Sequence, residues 1–256
     1  MSNEGSPNRL EFAVEPIPYF VQALVTGLSM LIYVPAAEQL TKLLHYATGK
    51  MRFADGTTVS FTGTPALLQP HLLQVTIVIW AQIILNAIID DPLVQLVVGV
   101  AMSLGLAFVS YQVLRVVAPL LVTNHGSRLE FSASVEDYLK WQLIFTGCSA
   151  VPALLGLLLP ASGFFATIGS ITLAVMTLAL LGIATVFYMQ WFGSKFTGGM
   201  RLVRFDANPV EMIGMYIGFV LFSLLIVTIP WSIAWFMKWV MSKYSLPARS
   251  AMPVTG

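Results

Sequence analysis

The stretch "ADGTTVSFTGTP", residues 54–65, is a short polar island between two strongly apolar parts of the chain. It contains the turn dipeptide Asp55-Gly56, followed by the alternating residues Thr-Val-Ser-Phe at 58–61. A turn dipeptide next to an alternating polar and apolar run is typical of a β-hairpin. The sequence therefore predicts a small hairpin directly before an apolar run.

Three other places in the chain resemble this one. The four matching segments are "LEFAVEPIPYF" (10–20), "VSFTGTPALLQ" (59–69), "LEFSASVEDYL" (129–139) and "VRFDANPVEMI" (203–213). Each centres on an apolar-x-Phe motif, at Phe12, Phe61, Phe131 and Phe205, and each precedes an apolar run. The match predicts four pseudo-repeat units, at 10–58, 59–128, 129–202 and 203–244. They would form one transmembrane domain, 17–244, between a polar N-terminal segment (1–16) and a flexible C-terminal tail (245–256).

The composition is that of a membrane protein. Hydrophobic residues make up 57% of the chain and charged residues 10%, whereas a soluble domain carries about 25% charged residues. Residues 141–194 contain no Asp, Glu, Lys, Arg or His. A net charge of +1 gives no indication of nucleic-acid binding. One cysteine, Cys148, and three scattered histidines exclude an internal disulfide and argue against a structural zinc site.

The apolar runs predict an all-α polytopic membrane protein with four secure transmembrane helices and two outer helices. The four are Leu67–Ile89, Leu93–Val117, Leu139–Leu159 and Phe164–Gln190, with turns at 90–92 and 160–163. The outer runs, Ile17–Val34 and Val210–Ile229, are each followed by a proline and a shorter helix. These outer helices either span the membrane or re-enter it. In the re-entrant case all four strand segments share one face of the membrane and could form one small sheet.

Lysine and arginine residues near the ends of the spans predict the orientation. The hairpin side carries Lys42, Lys50, Arg52, Arg128, Lys140, Lys195, Arg201 and Arg204. The opposite turns carry no basic residue and contain Asp90 and Asp91. By the positive-inside rule, the β-hairpins between the helix pairs should face the cytoplasm.

Two longer stretches resemble the YjgN-like family of bacterial inner-membrane proteins. They are "GKMRFADGTTVSFTGTPALLQPHLL" (49–73) and "FGSKFTGGMRLVRFDANPVEMIGMYIG" (192–218), the latter followed by "IPWSIAWFMKWVMSKY" (229–244). Family members often carry Ser-Pro-Trp after the first span, where this chain has Val34-Pro35-Ala36. The chain is therefore similar to a divergent member. The resemblance implies a bacterial inner (cytoplasmic) membrane location and no established activity.

One predicted helix carries a polar stripe. On Leu67–Ile89, helical spacing aligns the residues His71, Gln74, Gln82, Asn86 and Asp90. The stripe could line a polar pathway for a small solute. The alternative that we favour is a seam of interhelical hydrogen bonds, the ordinary use of Gln and Asn in membrane bundles.

Other residues suggest anchoring and packing. Arg115 near a span end could pair with a carboxylate for gating or anion binding, but snorkelling to headgroups is favoured. Trp231, Trp235 and Trp239 recur every four residues beside Lys238 and predict an interface anchor, with partner docking as the alternative. Gly214 and Gly218 have GxxxG spacing, which suits helix packing within the chain or between chains.

The sequence shows no pattern of catalysis. It has no nucleophile elbow, Walker loop, HExxH or CxxC motif, so we expect no catalytic residue, no metal site and no cofactor. The predicted function is a non-enzymatic scaffold or accessory subunit in the lipid bilayer, packing against another membrane protein or forming a homo-oligomer. The alternative is a transporter, channel or lipid-handling protein with a polar path along helix 67–89.

Overall fold

The computed structural model describes residues 8–156, 159, 162–198 and 204–246. The described chain forms α-helices α1 Pro16–Ile32, α2 Ala36–Gly49, α3 Pro65–Ile88, α4 Pro92–Val117, α5 Val135–Gly156, α6 Phe164–Ser194, α7 Pro209–Ser223 and α8 Ile229–Ser242. The strands are β1 Asn8–Phe12, β2 Met51–Phe53, β3 Val59–Phe61, β4 Leu121–Thr123, β5 Leu129–Phe131, β6 Phe196–Gly198, β7 Arg204–Phe205 and β8 Tyr244–Leu246. Most of the predicted C-terminal tail, part of the turn at 160–163, Gly199 and Arg201 lie outside the described residues.

The described elements follow the order strand, helix, helix, strand four times. We call these the βααβ segments 1 to 4: β1–β2, β3–β4, β5–β6 and β7–β8. Within every segment the leading strand pairs antiparallel with the trailing strand. The registers correspond, because each motif phenylalanine lies opposite one trailing-strand residue: Phe12 with Met51, Phe61 with Leu121, Phe131 with Phe196, and Phe205 with Tyr244.

The hairpin predicted at residues 54–65 differs from the observed pairing. The turn forms at Gly56, whose φ of 84° suits glycine, but β2 and β3 share a single bridge, Arg52 with Thr58. Each of these strands finds its main partner far along the chain, since β3 pairs with β4 and β2 with β1. The polar island is therefore a corner between two segments.

The segments form a continuous arrangement in which the last contacts the first. Strands β7, β8, β1 and β2 make one sheet in the order β2-β1-β8-β7. Single bridges join β2 to β3 and β4 to β5. The helices agree with this order, because α2 packs on α3, α4 on α5, α6 on α7, and α8 on α1.

The motif phenylalanines show how neighbouring segments hold together. Each lies in a buried cluster that contains residues from the second helix of the preceding segment. Phe61 clusters with Ala37 of α2, and Phe131 with Tyr111 of α4. The series closes when Phe12 of segment 1 clusters with Ala234 of α8 in segment 4. The alternating residues Glu11, Ser60 and Glu130 are exposed, as expected for strands with one buried face.

The helices of segments 1 and 4 are shorter than those of segments 2 and 3. Helix α1 has 17 residues and α7 has 15, against 24 in α3 and 31 in α6. At ~1.5 Å per residue, α1 reaches ~25 Å from its strand and α3 ~36 Å. Both short segments turn at apolar tips, since Val34 is 77% exposed and Ile226 is 81% exposed.

The carbonyl groups in the last turn of α1 all find donors. The backbone N–H groups of Tyr33 and Val34 donate to Ser29 and Ile32, at 3.0 and 2.8 Å. Two side chains of α3 supply the others: Thr76 Oγ1 donates to the Met30 carbonyl at 2.7 Å, and Trp80 Nε1 donates to the Leu31 carbonyl at 2.8 Å. A helix normally leaves its last four carbonyls without intrahelical partners. Helix α3 supplies the donors for two of these four carbonyls in α1.

Among the described residues, three helical stretches are long and apolar enough to cross a membrane: Pro65–Ile88, Pro92–Leu120 and Phe164–Ser194. These correspond to α3, to α4 with the short 3₁₀ turn that follows it, and to α6. The fourth predicted span corresponds to α5, which is not among them. Its first turns carry Glu136, Asp137 and Lys140, which shortens its apolar part.

Candidate functional site

A cavity of about 400 Å³ lies where the four βααβ segments meet. We call it the central chamber. Strands β1–β6 and β8 contribute to its wall, together with residues of α2, α6, α7 and α8. Its volume falls in the range of about 300–1,000 Å³ that is usual for small-molecule sites.

The strand part of the wall comes from the apolar-x-Phe motif. Leu10, Val59 and Leu129 stand two residues before the motif phenylalanines, and all three line the central chamber. All three side chains are buried. Residues two apart on a strand share a face, so the apolar residue and the phenylalanine of each of these three motifs both point into the protein. The apolar residue lines the chamber, and the phenylalanine packs against helix residues.

The helices contribute mainly apolar side chains to the wall. Leu44 and Ala47 come from α2, Phe192 from α6, and Phe236 and Val240 from α8. Four methionines also line the chamber: Met51, Met189, Met237 and Met241. Methionine is unbranched and adapts its shape to irregular partners, so this wall can fit ligands of more than one shape.

The polar groups in the wall already have partners. The Thr185 and Tyr216 hydroxyls are hydrogen-bonded to each other at 2.9 Å, and the Tyr244 hydroxyl donates to Met189 Sδ at 3.0 Å. Thr48 Oγ1 donates to the Leu44 carbonyl at 2.8 Å. Burial raises the pKa of Tyr244 well above its usual value, so this phenol stays neutral.

None of the described residues that line the central chamber carries a charge. Burying an ionised group without a partner is costly, so the chamber does not suit a phosphate, a carboxylate or an ammonium group. It suits an uncharged, mainly apolar molecule. Among the described residues there is also no group of three or more His, Cys, Asp or Glu side chains placed to hold a metal ion.

The predicted polar stripe of α3 does not reach the central chamber. Gln74, Asn86 and Asp90 are exposed on the outside of the described chain, and His71 and Gln82 are half-buried. Within the described part of the chain, the side chains of Gln74, Gln82 and Asn86 make no hydrogen bond, and His71 Nδ1 is buried without a partner. The polar contacts of α3 to a neighbouring helix use Thr76 and Trp80 instead.

The predicted anchors lie at the surface. Arg115 is exposed, with its guanidinium 5.9 Å from the Tyr111 ring centre. Trp231, Trp235 and Lys238 are exposed on α8, whereas Trp239 is half-buried and stacks under the Lys243 ammonium at 5.2 Å. Helix α8 packs against α7, α1 and β1 and leads from the apolar tip back to β8.

The two glycines of the predicted GxxxG pair have different surroundings. A Cβ on Gly218 would lie 3.0 Å from Cη2 of Trp235, whereas Gly214 is exposed with open space around it. Another glycine, Gly182 of α6, lies close to α7 and was not predicted from the sequence. A Cβ on Gly182 would lie 2.6 Å from Cγ1 of Ile213 and 3.3 Å from its backbone N.

The central chamber was not identified from the sequence, although its signal was present. Leu10, Val59 and Leu129 are the apolar residues of three of the apolar-x-Phe motifs, but they are far apart in the sequence and come together only in the folded chain. Comparison with protein-family models, characterised proteins and solved structures gave no match. The resemblance to the YjgN-like family therefore stays a prediction.

Proposed function

We propose that this chain is a multi-pass membrane protein that binds an uncharged, lipid-like molecule in the central chamber. The observation that carries the proposal is an apolar chamber with no charged lining among the described residues, built jointly by all four βααβ segments. A lipid-handling role follows from this proposal, because the described lining residues offer an apolar surface to a ligand.

Helices α3, α4, α5 and α6 are proposed to cross the bilayer, while α1–α2 and α7–α8 enter it and return. The paired leading and trailing strands support this arrangement, since a segment whose two ends are paired begins and ends on one side. Exposed apolar tips at Val34 and at 224–227 suit hydrocarbon. Donors for the last carbonyls of α1 meet the requirement that backbone polar groups be satisfied in lipid.

One face of α2 is proposed to meet water. Glu38 lies one turn from the tip of segment 1 and forms a 2.6 Å ion pair with Lys42, and both side chains are more than half exposed. Charges at membrane depth face a bundle interior or a water-filled cavity. The Glu38–Lys42 face of α2 therefore lies toward water, and its opposite face carries Leu44 and Ala47 to the central chamber.

The strands are proposed to face the cytoplasm, and the membrane to be the bacterial inner membrane. Exposed Arg52 and Arg128 lie at the strand corners, and Lys140 lies at the strand end of α5. On the far side, the turn between α3 and α4 carries Asp90 and Asp91 and no basic residue. This is the charge asymmetry of the positive-inside rule. The resemblance to the YjgN-like family supports the bacterial inner membrane as the location.

The test is native mass spectrometry of the full chain extracted from its own membranes in a mild detergent. We expect a co-purifying uncharged lipid-like mass. Ala47→Phe and Met237→Trp, which fill the central chamber, should lose it. The control is Ala87→Phe, which makes the same kind of enlargement on the exposed surface of α3 and should retain the bound mass. A bound mass that survives both filling substitutions would overturn the proposal.

The scaffold or accessory-subunit role is a second candidate. It is favoured by exposed Gly214 on α7, where an added Cβ would meet no atom within 4 Å, which leaves room for a helix of another chain. The same mass spectrum tests it. Stoichiometric partner subunits or a defined homo-oligomer that Gly214→Leu dissociates would support this role, and a monomer would contradict it.

A further inference from the structure

A second cavity, of about 490 Å³, runs between α4 and α5. We call it the α4–α5 groove. Its wall on α4 includes Gln95, Gly99 and Ser103, which are four residues apart and therefore share one helical face. Leu181 of α6 lies at its edge. This groove is separate from the central chamber, because no described residue lines both.

The wall on α5 is also polar along one face. Gln142, Thr146 and Ser149 line the groove at spacings of four and three residues. Ser103 and Thr146 meet across it, with 3.1 Å between their hydroxyl oxygens. The polar groups of two helices thus converge on one space, which is the arrangement expected of a binding site for a polar group.

The hydrogen bonds of the hydroxyls determine what the groove offers a ligand. Ser103 Oγ donates to the Val100 carbonyl at 2.9 Å, so the Thr146 hydroxyl donates to Ser103. Ser149 Oγ donates to the Phe145 carbonyl at 3.4 Å. All three hydroxyl hydrogens are therefore used within the protein, and the oxygens keep lone pairs that accept hydrogen bonds.

The side-chain amides of Gln95 and Gln142 also line the groove. Gln95 Nε2 donates to the Ile89 carbonyl, which leaves its second N–H and its Oε1 available. Gln142 is half-buried and makes no hydrogen bond within the described chain, so its amide has both donors and an acceptor to offer. None of the described lining residues is charged. An uncharged ligand that donates and accepts several hydrogen bonds fits this groove, whereas an anion would find no positive charge among the described lining residues.

We propose that the α4–α5 groove binds an uncharged group rich in hydroxyls. Such a group could be a free polyol or the sugar headgroup of a lipid, since both present several O–H donors in a small volume. The proposal goes beyond the central chamber and does not depend on it. Ala47→Phe, which fills the central chamber, should leave polyol binding unchanged.

The experiment uses the full chain in nanodiscs and has two arms. In the first, phosphatidylethanolamine discs contain equal fractions of monoglucosyl-diacylglycerol and phosphatidylglycerol, and native mass spectrometry identifies the lipid retained. In the second, methyl glucoside is added in solution and its contact is measured by saturation-transfer NMR. Retention of the glucolipid alone assigns the group to a lipid, and saturation of methyl glucoside assigns it to a free polyol.

The variants are Ser103→Ala with Thr146→Val, and separately Gln142→Leu. Each should weaken the binding observed in the wild-type protein about tenfold, as expected for loss of hydrogen bonds to the ligand. The matched control is Gln82→Leu with Asn86→Leu, which removes polar groups from α3 outside the groove. Preferential retention of phosphatidylglycerol, absence of binding in both arms, or equal binding by groove variants and control would overturn the proposal.

Discussion

The Thr76 hydroxyl of α3 donates a 2.7 Å hydrogen bond to the carbonyl of Met30, in the last turn of α1. Thr76 is buried, so water cannot easily replace this donor. The bond joins a membrane-length helix to a shorter helix that stops beside it. It explains how α1 can end, and the chain reverse at Tyr33, without leaving this carbonyl unsatisfied.

Thr76→Val should therefore destabilise the protein. The substitution keeps the shape of the side chain and leaves the Met30 carbonyl without its donor, which costs about 1–3 kcal/mol for a buried group. Thermal unfolding in detergent measures the change. The control is Thr172→Val on α6, where the hydroxyl bonds to its own helix at Ile168 and is exposed. Equal effects of the two substitutions would contradict the role of Thr76.

Gly182 allows α6 and α7 to approach each other closely. Gly182→Ala would place a Cβ 2.6 Å from Ile213 Cγ1 and 3.3 Å from its Cα, and overpacking of this kind costs about 1–3 kcal/mol. Gly147→Ala on α5 meets no atom within 4 Å and should stabilise the helix by about 0.5–1 kcal/mol. The two variants should shift the unfolding temperature in opposite directions. A stabilising Gly182→Ala would show that this contact is loose.

Gly56 and Gly126 make the corners that connect one βααβ segment to the next. Their φ angles are 84° and 78°, a conformation that costs other residues about 1–2 kcal/mol. Gly56→Ala and Gly126→Ala should each lower the free energy of unfolding by that amount. Gly49→Ala, at the end of α2, has open space and no positive φ, and it serves as the comparison. Corner variants as stable as Gly49→Ala would show that the corners rearrange freely.

Local features of the sequence predicted much of the secondary structure. Phe12, Phe61, Phe131 and Phe205 lie in strands that precede helices, and Gly56 forms the expected turn, because turns and alternation depend on neighbouring residues. The strand partners were not predictable in this way. Phe61 lies opposite Leu121, sixty residues away, and three-residue strands carry too little pattern to specify such a pairing.

The same limit applies to the candidate site. Helical spacing predicted a polar stripe that included Gln74 and Asn86, but spacing does not show whether a helix face points inward or outward, and both side chains are exposed. The α4–α5 groove was present in the sequence as Gln142, Thr146 and Ser149 at helical spacing. It becomes a site only where Ser103 of another helix meets Thr146.

The proposed water-facing surface of α2 gives a prediction about labelling. In a Cys148→Ala chain in nanodiscs, where both membrane faces are open to the solution, a cysteine introduced by Lys42→Cys should react with a membrane-impermeant maleimide, because only a hydrated thiol forms the reactive thiolate readily. A cysteine introduced by Ile84→Cys, at an exposed apolar position of α3, should be protected by lipid. Mass spectrometry of the labelled protein gives both yields. A protected thiol in the Lys42→Cys variant together with a reactive thiol in the Ile84→Cys variant would contradict the proposed membrane placement.

The most direct test of the central claim is an electron cryomicroscopy map of the full chain in nanodiscs made with lipids from its own membranes. We expect the leading and trailing strands to pair as described and a continuous, elongated density to fill the central chamber between Val59, Met189 and Val240. A chamber closed by its own side chains, or one holding only isolated water peaks, would contradict the proposal that this protein binds a lipid-like molecule there.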